Sequence, residues 1–358
     1  MDSLYFCKKY KKDEYEYRLG CSEIVPFLKG IHGEKFIVSF TEEINGMLGS
    51  IQLMLSNINS KNCNYSESVL LEAHSSATIE GCRTTVDSVK RSILSKNPSK
   101  NDKMVINIIK AQSKYYNEKV RNLSDIVSMW RIISDGVCEN MDSQGGLFRD
   151  KMVYVGNENK IIHTPEVPDK ILDKMKLLED FINSHKCHAI LKGIITHYYI
   201  EYIHPMCDCN GRLGRLLQNV IIYQEGYKDI IKVPVIRTIN NYIPGYYSSF
   251  KNSECIVNAD KFGKCIDITP FIYYMLNILL EAISGVFVNL NKKEKLVLEK
   301  MSKRGVGAEI TVSNAMFLLK MDNRDSVRSI LNKLVDKGYL VKRKCGNKNI
   351  YRLIKLLR

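Results

Sequence analysis

The sequence predicts a mainly α-helical protein that ends in a small α+β module. Apolar residues recur every three to four positions in stretches such as 187–204 and 211–227, which is the spacing of helices. Residues 291–358 instead combine three short helical patterns with a β-hairpin pattern. We expect an N-terminal helical region in residues 1–100, a helical core in 101–290 and the α+β module in 291–358.

The N-terminal region contains one predicted helix in which two polar residues stand four positions apart. Residues 67–81 (ESVLLEAHSSATIEG) predict a helix, and Ser76 and Glu80 stand four residues apart on one of its faces. The polar stretch 95–103 then predicts a loop.

Two further helices flank a polar segment in the core. Residues 187–204 predict a helix that carries His204 at its end, and 211–227 predict a helix that stops near Gly226. The segment between them is therefore a loop that runs into a helix N-terminus.

The tail predicts three helices and a hairpin, and it carries most of the charge. The helices are expected at 292–302, 313–321 and 323–337, the last capped by Asn323, and the strands at 339–343 and 349–353. Residues 291–358 hold 18 Lys and Arg against 6 Asp and Glu, or +12 of the chain's +14. The basic character thus belongs to one module.

This tail resembles a winged helix-turn-helix. The resemblance implies DNA binding, with Arg324, Ser326 and Arg328 in the major groove. Lys342, Arg343, Lys344 and Lys348 would then lie near phosphates. Winged helices also dock proteins, so both kinds of partner stay open.

Composition excludes several classes of protein. The 358 residues, 45% apolar and 26% charged, can bury a core in two or three domains. The polar N-terminus and the interrupted apolar run 271–290 predict neither secretion nor membrane insertion. Eleven cysteines without a CxxC pair predict reduced thiols and a cytoplasmic location.

The segment 204-HPMCDCNGRLGR-215 has the residues of a polyphosphate site. The N-terminus of a helix attracts anions, and Arg212 and Arg215 lie three apart on its first turn. Asp208 could hold Mg²⁺ against phosphates, and His204 could take a proton from an attacking hydroxyl. These residues predict phosphoryl or nucleotidyl transfer.

The same segment resembles the motif His-Pro-Phe-x-Asp-Gly-Asn-Gly-Arg-x-x-Arg of the Fic family, whose helical core transfers AMP from ATP to a protein hydroxyl. The resemblance implies that His204 is the general base, Asp208 the metal ligand and Asn210 a phosphate contact. Arg212 would contact the β-phosphate and Arg215 the γ-phosphate. Cys209, Gly211, Leu213 and Gly214 complete the implied loop for ATP, with Mg²⁺ as the cofactor.

Two positions depart from the family motif. Met206 replaces Phe and keeps an apolar anchor. Cys209 replaces Gly, and if that position requires φ > 0, a Cβ there costs about 1–2 kcal/mol. The nucleotide preference is therefore left open.

The resemblance also implies a β-hairpin flap on which a protein substrate docks. Residues 145–168 match it, with arms at Met152–Gly156 and Ile161–Thr164 and a turn at 157–159. The flap residues are thus Val153, Tyr154, Val155 and Gly156.

Three aromatic residues of the core complete the resemblance. Tyr246 and Tyr247 fall where the family places tyrosines against the nucleotide, and they could equally be core aromatics. His197 falls where the family often has a histidine, and we expect it to pack between helices.

Fic proteins that restrain themselves carry Ser/Thr-x-x-x-Glu-Gly/Asn, which Ser76, Glu80 and Gly81 match. The resemblance implies that Glu80 pairs with Arg215 and prevents productive seating of ATP. We therefore expect an autoinhibited protein adenylyltransferase. Removal of AMP from a modified protein, a DNA-binding regulator with a ligand-sensing core, and a homodimer all stay open.

Overall fold

The computed structural model describes residues 12–56, 58, 65–138, 147–157, 160–184, 186–254, 256–259, 261–287, 292–302, 308–336, 339–345 and 348–353. The chain divides into two compact units, residues 1–283 and 284–358. Helices dominate and the sheets are small, which confirms the predicted mainly α class. No helix among the described residues is long and apolar enough to cross a membrane.

The first unit contains most of the helices. In chain order its elements are α1 (Lys12–Gly20), β1 (Ser22–Lys29), β2 (Lys35–Ser39), α2 (Glu42–Ser56), α3 (Tyr65–Ile79), α4 (Val86–Ser92), α5 (Lys100–Tyr115), α6 (Leu123–Ser134), β3 (Val155–Asn157), β4 (Lys160–His163), α7 (Pro168–Asn183), α8 (Ala189–Ile203), α9 (Asn210–Gln224), a 3-10 helix (Lys228–Lys232), α10 (Val235–Asn241), α11 (Ile243–Asn252), β5 (Ile256–Ala259), β6 (Gly263–Asp267) and α12 (Thr269–Phe287).

A four-stranded sheet in this unit was not predicted. Its strand order is β1-β2-β6-β5, and β2 runs parallel to β6, with Lys35 opposite Cys265. The predicted N-terminal helical region thus also contains β1 and β2, and residues 35–39 share a sheet with residues 263–267. Such a pairing joins distant parts of the chain and leaves no local signal in the sequence.

Helices α8 and α9 form the centre of the first unit. Both are buried on nearly all sides, as expected for helices enclosed by other elements. Tyr198 of α8 stacks on Phe250 with ring centroids 5.7 Å apart, and Phe36 of β2 meets Tyr198 edge-on at 6.0 Å. This packing fixes the ends of α8 and α9, where the candidate site lies.

The second unit contains α13 (Lys292–Ser302), β7 (Glu309–Thr311), α14 (Val312–Leu319), α15 (Arg324–Asp336), β8 (Leu340–Cys345) and β9 (Lys348–Leu353). The predicted helices and hairpin are all present, and Asn323 Oδ1 accepts the Ser326 N–H at 2.9 Å, as predicted for a cap. Strand β7 adds an edge that was not predicted and gives the sheet order β7-β9-β8. Residues 337 and 338, after α15, and residues 346 and 347, between the two hairpin strands, lie outside the described residues.

Candidate functional site

The candidate site lies where α8 ends and α9 begins, and two glycines set the close approach of these helices. A Cβ on Gly193 would lie 2.7 Å from the Gln218 carbonyl oxygen, and one on Gly214 would lie 2.9 Å from His197 Cδ2. Because a side chain at either glycine would push the helices apart, the glycines hold them in contact. The loop 204–209 is thereby fixed between two rigid elements.

Met206 and Asn210 brace this loop from inside. Met206 is 1% exposed, which confirms its predicted role as an apolar anchor. Asn210 Oδ1 accepts the Met206 N–H at 2.9 Å, and Asn210 Nδ2 donates to the Met206 carbonyl oxygen at 2.9 Å. The side chain that was predicted to contact phosphate is therefore engaged in holding the loop.

Two residues of the loop have left-handed backbone conformations. His204 ends α8 with φ 53°, and Cys209 precedes α9 with φ 70°. A non-glycine residue in this region costs about 1–2 kcal/mol, so the glycine of the family motif has a physical reason. The Cys209 side chain makes no capping hydrogen bond, which leaves the first turn of α9 without a side-chain cap.

His204 is held in one neutral form. Its Nδ1 lies 3.3 Å from the Glu201 carbonyl oxygen, and since a carbonyl only accepts, Nδ1 must carry the proton. Nε2 then has a free lone pair. Burial lowers the pKa of His204 to about 4, so the Glu201 carboxylate, 3.9 Å away, faces an uncharged imidazole at neutral pH. An unprotonated Nε2 on a neutral imidazole is what the predicted role of general base requires.

Asp208 presents an exposed carboxylate from a fixed backbone. Trp130 Nε1 donates to the Asp208 carbonyl oxygen at 2.9 Å, while the side chain is 59% exposed. Oδ1 accepts the Cys209 N–H at 2.5 Å and lies 3.6 Å from Arg212 Nη2. This single exposed carboxylate lies beside the predicted phosphate site. The arrangement fits Mg²⁺, because the ion takes one or two carboxylates and completes its shell with phosphate oxygens and water.

Arg212 has buried donors without partners. The residue is 3% exposed, and within the described part of the chain its Nε and Nη1 atoms have no hydrogen-bond partner. Nη2 lies 3.6 Å from Asp208 Oδ1, but Nε and Nη1 have lost water without gaining an acceptor in exchange, which is costly. An anion at the N-terminus of α9 would satisfy these donors.

Arg215, one turn further along α9, is saturated by α3 and the turn that follows it. Its Nη2 lies 2.5 Å from Glu80 Oε1 and 3.2 Å from the Ser76 carbonyl oxygen, and its Nε lies 3.1 Å from Ser76 Oγ. The predicted Glu80–Arg215 pair is therefore present. Ser76 lies within α3, whereas Glu80 follows its last residue, Ile79, in a turn where Gly81 has φ +81°.

The Glu80 carboxylate sits against the first turn of α9. A Cβ added to Gly211 would collide with Glu80 Oε1 and would lie 3.0 Å from Glu201 Oε1. Burial and the neighbouring Glu80 raise the pKa of Glu201 to about 7. Two acidic groups thus lie where the sequence predicts phosphates.

Tyr246, Tyr247 and His197 differ in what they offer a nucleotide. Tyr246 is 1% exposed, and its hydroxyl lies 2.9 Å from His197 Nε2 and 3.4 Å from Arg215 Nη1, which matches the alternative of a core aromatic. Tyr247 is 53% exposed and remains a predicted nucleotide neighbour. His197 is fully buried, and burial lowers its pKa to about 3, in agreement with a packing role between helices.

Leu213 and Gly214, which were predicted to belong to the phosphate loop, face the protein interior. Leu213 is fully buried in the apolar core, and its N–H donates to the Cys209 carbonyl oxygen at 3.0 Å. Gly214 faces α8. The helical period explains this, because residues 212 and 215 share a face that the two residues between them do not.

The flap is shorter than predicted. Its arms are β3 (Val155–Asn157) and β4 (Lys160–His163), so Val153 and Tyr154 precede the first strand. His163 anchors the second arm, with one ring nitrogen 2.7 Å from the Tyr202 carbonyl oxygen and the other 3.2 Å from Glu254 Oε1. At this end of the hairpin Val155 pairs with His163, and the pairing register of the two strands shifts between Val155 and Gly156. Residues 158 and 159 of the predicted turn, and Gly145 and Gly146 before the flap, lie outside the described residues.

Sequence analysis missed four residues that support the site. Arg149 connects the segment before the flap to the loop 204–209. Its side-chain Nε donates to the His204 carbonyl oxygen at 2.8 Å, and its backbone N–H donates to the Pro205 carbonyl oxygen at 3.0 Å. Trp130 donates to the Asp208 carbonyl oxygen at 2.9 Å, and the Glu201 carbonyl oxygen lies 3.3 Å from His204 Nδ1. Cys138 Sγ lies 2.9 Å from Cys209 Sγ. Glu201, three residues before His204 on α8, could have been found from its spacing. The others are distant in sequence.

Comparison with known proteins connects this geometry to a family. Residues 122–222 match the model of the Fic/DOC family. The chain is 33% identical over 127 residues to the protein adenylyltransferase Fic of Aedes aegypti, which covers 34% of this chain and 24% of the mosquito protein. It is 28% identical over 184 residues to the protein adenylyltransferase fic-1 of Caenorhabditis briggsae, which covers 50% of this chain and 34% of that protein. The chain thus spans about a quarter to a third of the length of these relatives.

Solved structures agree on the fold. A Fic family protein from Desulfovibrio desulfuricans G20 superposes with a TM-score of 0.58 at 19% identity, covering 89% of this chain and 98% of that one. Fic-1 from C. elegans superposes with a TM-score of 0.50 at 20% identity, covering 68% of this chain and 72% of that one.

Proposed function

We propose that this chain, whose residues 122–222 match the Fic/DOC family model, transfers AMP from ATP to a hydroxyl group of a protein. The observation that carries the proposal is Arg212, whose Nε and Nη1 donors are buried without partners at the N-terminus of α9. A polyphosphate is the anion that best matches two buried arginines beside a helix N-terminus and an exposed carboxylate. The names of the similar proteins support AMP transfer in particular.

In the proposed reaction His204 acts as the base. Its Nε2 takes the proton of a Ser, Thr or Tyr hydroxyl, and the oxygen then attacks the α-phosphorus of ATP. The bond between the α-phosphorus and the bridging oxygen breaks, and pyrophosphate leaves. Arg212 and the N–H groups of the first turn of α9 offset the charge on the phosphates. Mg²⁺ held by Asp208 would supply further neutralisation of these phosphates.

We further propose that the chain restrains its own activity through α3 and the turn after it. Glu80 occupies Arg215 at 2.5 Å and lies against Gly211, where it repels an incoming phosphate. A carboxylate that binds the guanidinium removes a donor and adds a like charge to the anion seat. ATP could then bind without placing its γ-phosphate productively.

The flap is the proposed docking surface for the protein substrate. Tyr154 is 59% exposed, and Ile161 and Ile162 are each 58% exposed, so the hairpin presents apolar side chains to solvent. An extended segment of a target could add to this hairpin through backbone hydrogen bonds. That mode of binding would place a target hydroxyl without requiring a specific target sequence.

The experiment that tests this function compares wild type, Glu80→Gly and Glu80→Gly/His204→Ala. Each is incubated with Mg²⁺ and with ATP labelled at the α- or the γ-phosphate. We expect transfer of the α-label only, strong in Glu80→Gly and absent from the double variant. Equal and low transfer in all three proteins, without nucleotide binding by calorimetry, would contradict the proposal.

Removal of AMP is the alternative reaction within the same site. Glu80 is placed near the phosphate seat, where it could orient a water molecule for hydrolysis. Incubation with an AMP-modified protein separates the two reactions, because Glu80→Gly should raise transfer and abolish removal.

For the second unit we propose a winged helix that binds DNA. Arg324 and Ser326 of α15 are exposed, and Lys342, Arg343 and Lys344 of β8 are exposed on the wing. Arg328 is paired with Asp325 at 2.7 Å, so it has to exchange this partner before it can reach a base or phosphate. Binding to a DNA duplex should weaken by roughly 10-fold or more between 50 and 200 mM salt. Salt-independent binding, or none, would favour protein docking.

A cytoplasmic location is proposed on the cysteines alone. Seven cysteines of the first unit are free thiols, which is the state kept by a reducing compartment.

A further inference from the structure

Two cysteine thiols meet behind the loop that carries Asp208. Cys138 Sγ, four residues beyond the end of α6, lies 2.9 Å from Cys209 Sγ. A disulfide joins its sulfur atoms at about 2.05 Å, so the two need to approach by less than about 1 Å to bond. Cys138 is partly exposed whereas Cys209 is 3% exposed, so a reagent can reach one member of the pair directly.

We propose that Cys138 and Cys209 form a redox modification site, which a small-molecule disulfide such as oxidised glutathione converts into an intramolecular disulfide bond. The pair belongs to different parts of the fold, 71 residues apart in the chain. One member occupies the position at which the Fic motif has glycine. The modification would therefore act on the phosphate loop itself.

The chemistry proceeds by two exchanges. The Cys138 sulfur, after losing its proton, attacks oxidised glutathione and forms a mixed disulfide, and one glutathione thiolate leaves. The Cys209 sulfur then loses its proton and attacks the Cys138 sulfur, and the second glutathione thiolate leaves. Two protein thiols are oxidised, and one molecule of oxidised glutathione is reduced to two thiols.

Oxidation changes the contacts of Asp208. The thiol of Cys138 now donates to Asp208 Oδ2 at 3.3 Å, and the disulfide has no S–H to donate. This consequence rests on the proposed function, in which Asp208 holds Mg²⁺ and a hydrogen bond to Oδ2 competes with the ion. Loss of one weak donor should lower the Mg²⁺ concentration for half-maximal activity by roughly two- to tenfold.

The test uses the full chain, first reduced and then equilibrated with defined ratios of reduced and oxidised glutathione. After digestion with trypsin without reductant, Cys138 falls in peptide 132–149 and Cys209 in peptide 193–212. We expect mass spectrometry to find these two peptides joined, with the loss of two hydrogens, and dithiothreitol to separate them. This readout requires no nucleotide, so it stands apart from the test of AMP transfer.

Matched variants identify the sulfur atoms. Peptide 193–212 also contains Cys207, so Cys207→Ser should keep the link while Cys209→Ser and Cys138→Ser each abolish it. Cys187→Ser, which removes another partly exposed thiol, should keep the link. The proposal is overturned if Cys209→Ser keeps the link. It is also overturned if the peptides stay separate under fully oxidising glutathione, or if purified protein holds a stoichiometric zinc ion that protects both thiols.

Discussion

Arg212 and Arg215 lie one turn apart on α9 and are almost equally buried, yet their surroundings are opposite. Arg215 is contacted by Ser76, Glu80 and Tyr246, whereas two nitrogens of Arg212 have no partner in the described part of the chain. We call Arg215 and its three partners the closed half of the seat. We call His204, Asp208, Cys209 and Arg212 the open half.

Helix α9 therefore carries one arginine that is paired within the protein, Arg215, and one, Arg212, with two nitrogens that have no partner among the described residues. In the closed half the protein supplies the anion, since the Glu80 carboxylate satisfies the guanidinium. In the open half the protein supplies only the exposed Asp208 carboxylate, 3.6 Å from Arg212 Nη2, and Nε and Nη1 have no acceptor among the described residues. An anion bound there would offset the desolvation cost of these two nitrogens.

The largest expected effect comes from Arg212→Met in the Glu80→Gly background. Methionine keeps an apolar side chain and removes the donors, so AMP transfer should fall by about 100-fold or more. The free energy of unfolding should stay the same or rise slightly, because the variant removes a buried charge with two unsatisfied nitrogens, and its partner Asp208 is exposed to water. Initial rates with α-labelled ATP and urea denaturation measure the two effects. A large loss of stability would mean that Arg212 is also a structural residue.

Arg215→Met is the matched variant in the closed half, and its effect should be on stability. It leaves Ser76 without its partner and Glu80 without its counter-ion. Since Glu80 is about one third exposed and can turn to water, we expect a loss of about 2–3 kcal/mol in the free energy of unfolding. If urea denaturation gives equal free energies of unfolding for Arg212→Met and Arg215→Met, the distinction between a closed and an open half is wrong.

The pH profile of AMP transfer examines the base in the open half. A base acts in its unprotonated form, and burial lowers the pKa of His204 to about 4. Activity of Glu80→Gly should therefore persist as the pH falls to 5 and decline only near pH 4. A histidine with the ordinary pKa of 6.5 would already have lost about 30-fold at pH 5. A decline centred near pH 6.5 would show that His204 is solvated in the working enzyme.

The smallest expected effect concerns the backbone at position 209. Cys209→Gly and Cys209→Ala both remove the thiol, but only glycine relieves the strain at φ 70°. We expect the glycine variant to be more stable than the alanine variant by about 1 kcal/mol in urea denaturation. Equal stability would mean that the loop relaxes out of the left-handed conformation.

The sequence by itself determined the features that depend on neighbours along the chain. The helix pattern of 187–204, the polar segment after it and the two arginines three apart predict an anion seat at a helix N-terminus. The tail is also local, which is why its three helices, the Asn323 cap and the hairpin were predicted. Short-range periodicity and capping need no knowledge of the rest of the fold.

The pairing of Ser76 and Glu80 with Arg215 came from resemblance to a family and not from local pattern, because these residues lie more than 130 positions apart. Family resemblance likewise assigned residues to the phosphate loop without indicating which way they face. The resemblance assigned Leu213 and Gly214 to the phosphate site. Only the packing of α9 on α8 shows that both residues face the core.

Tertiary structure alone decided which polar groups are satisfied. Parallel pairing brings β2 to β6, and the crossing of α8 and α9 buries Nε and Nη1 of Arg212 without partners among the residues that the structure describes. The segment after α6 places Cys138 beside Cys209. Each of these contacts joins segments that are separated in sequence, so its free energy depends on the whole fold. The sequence names the residues of the proposed phosphate site, and the fold determines which of their polar groups already have partners within the protein.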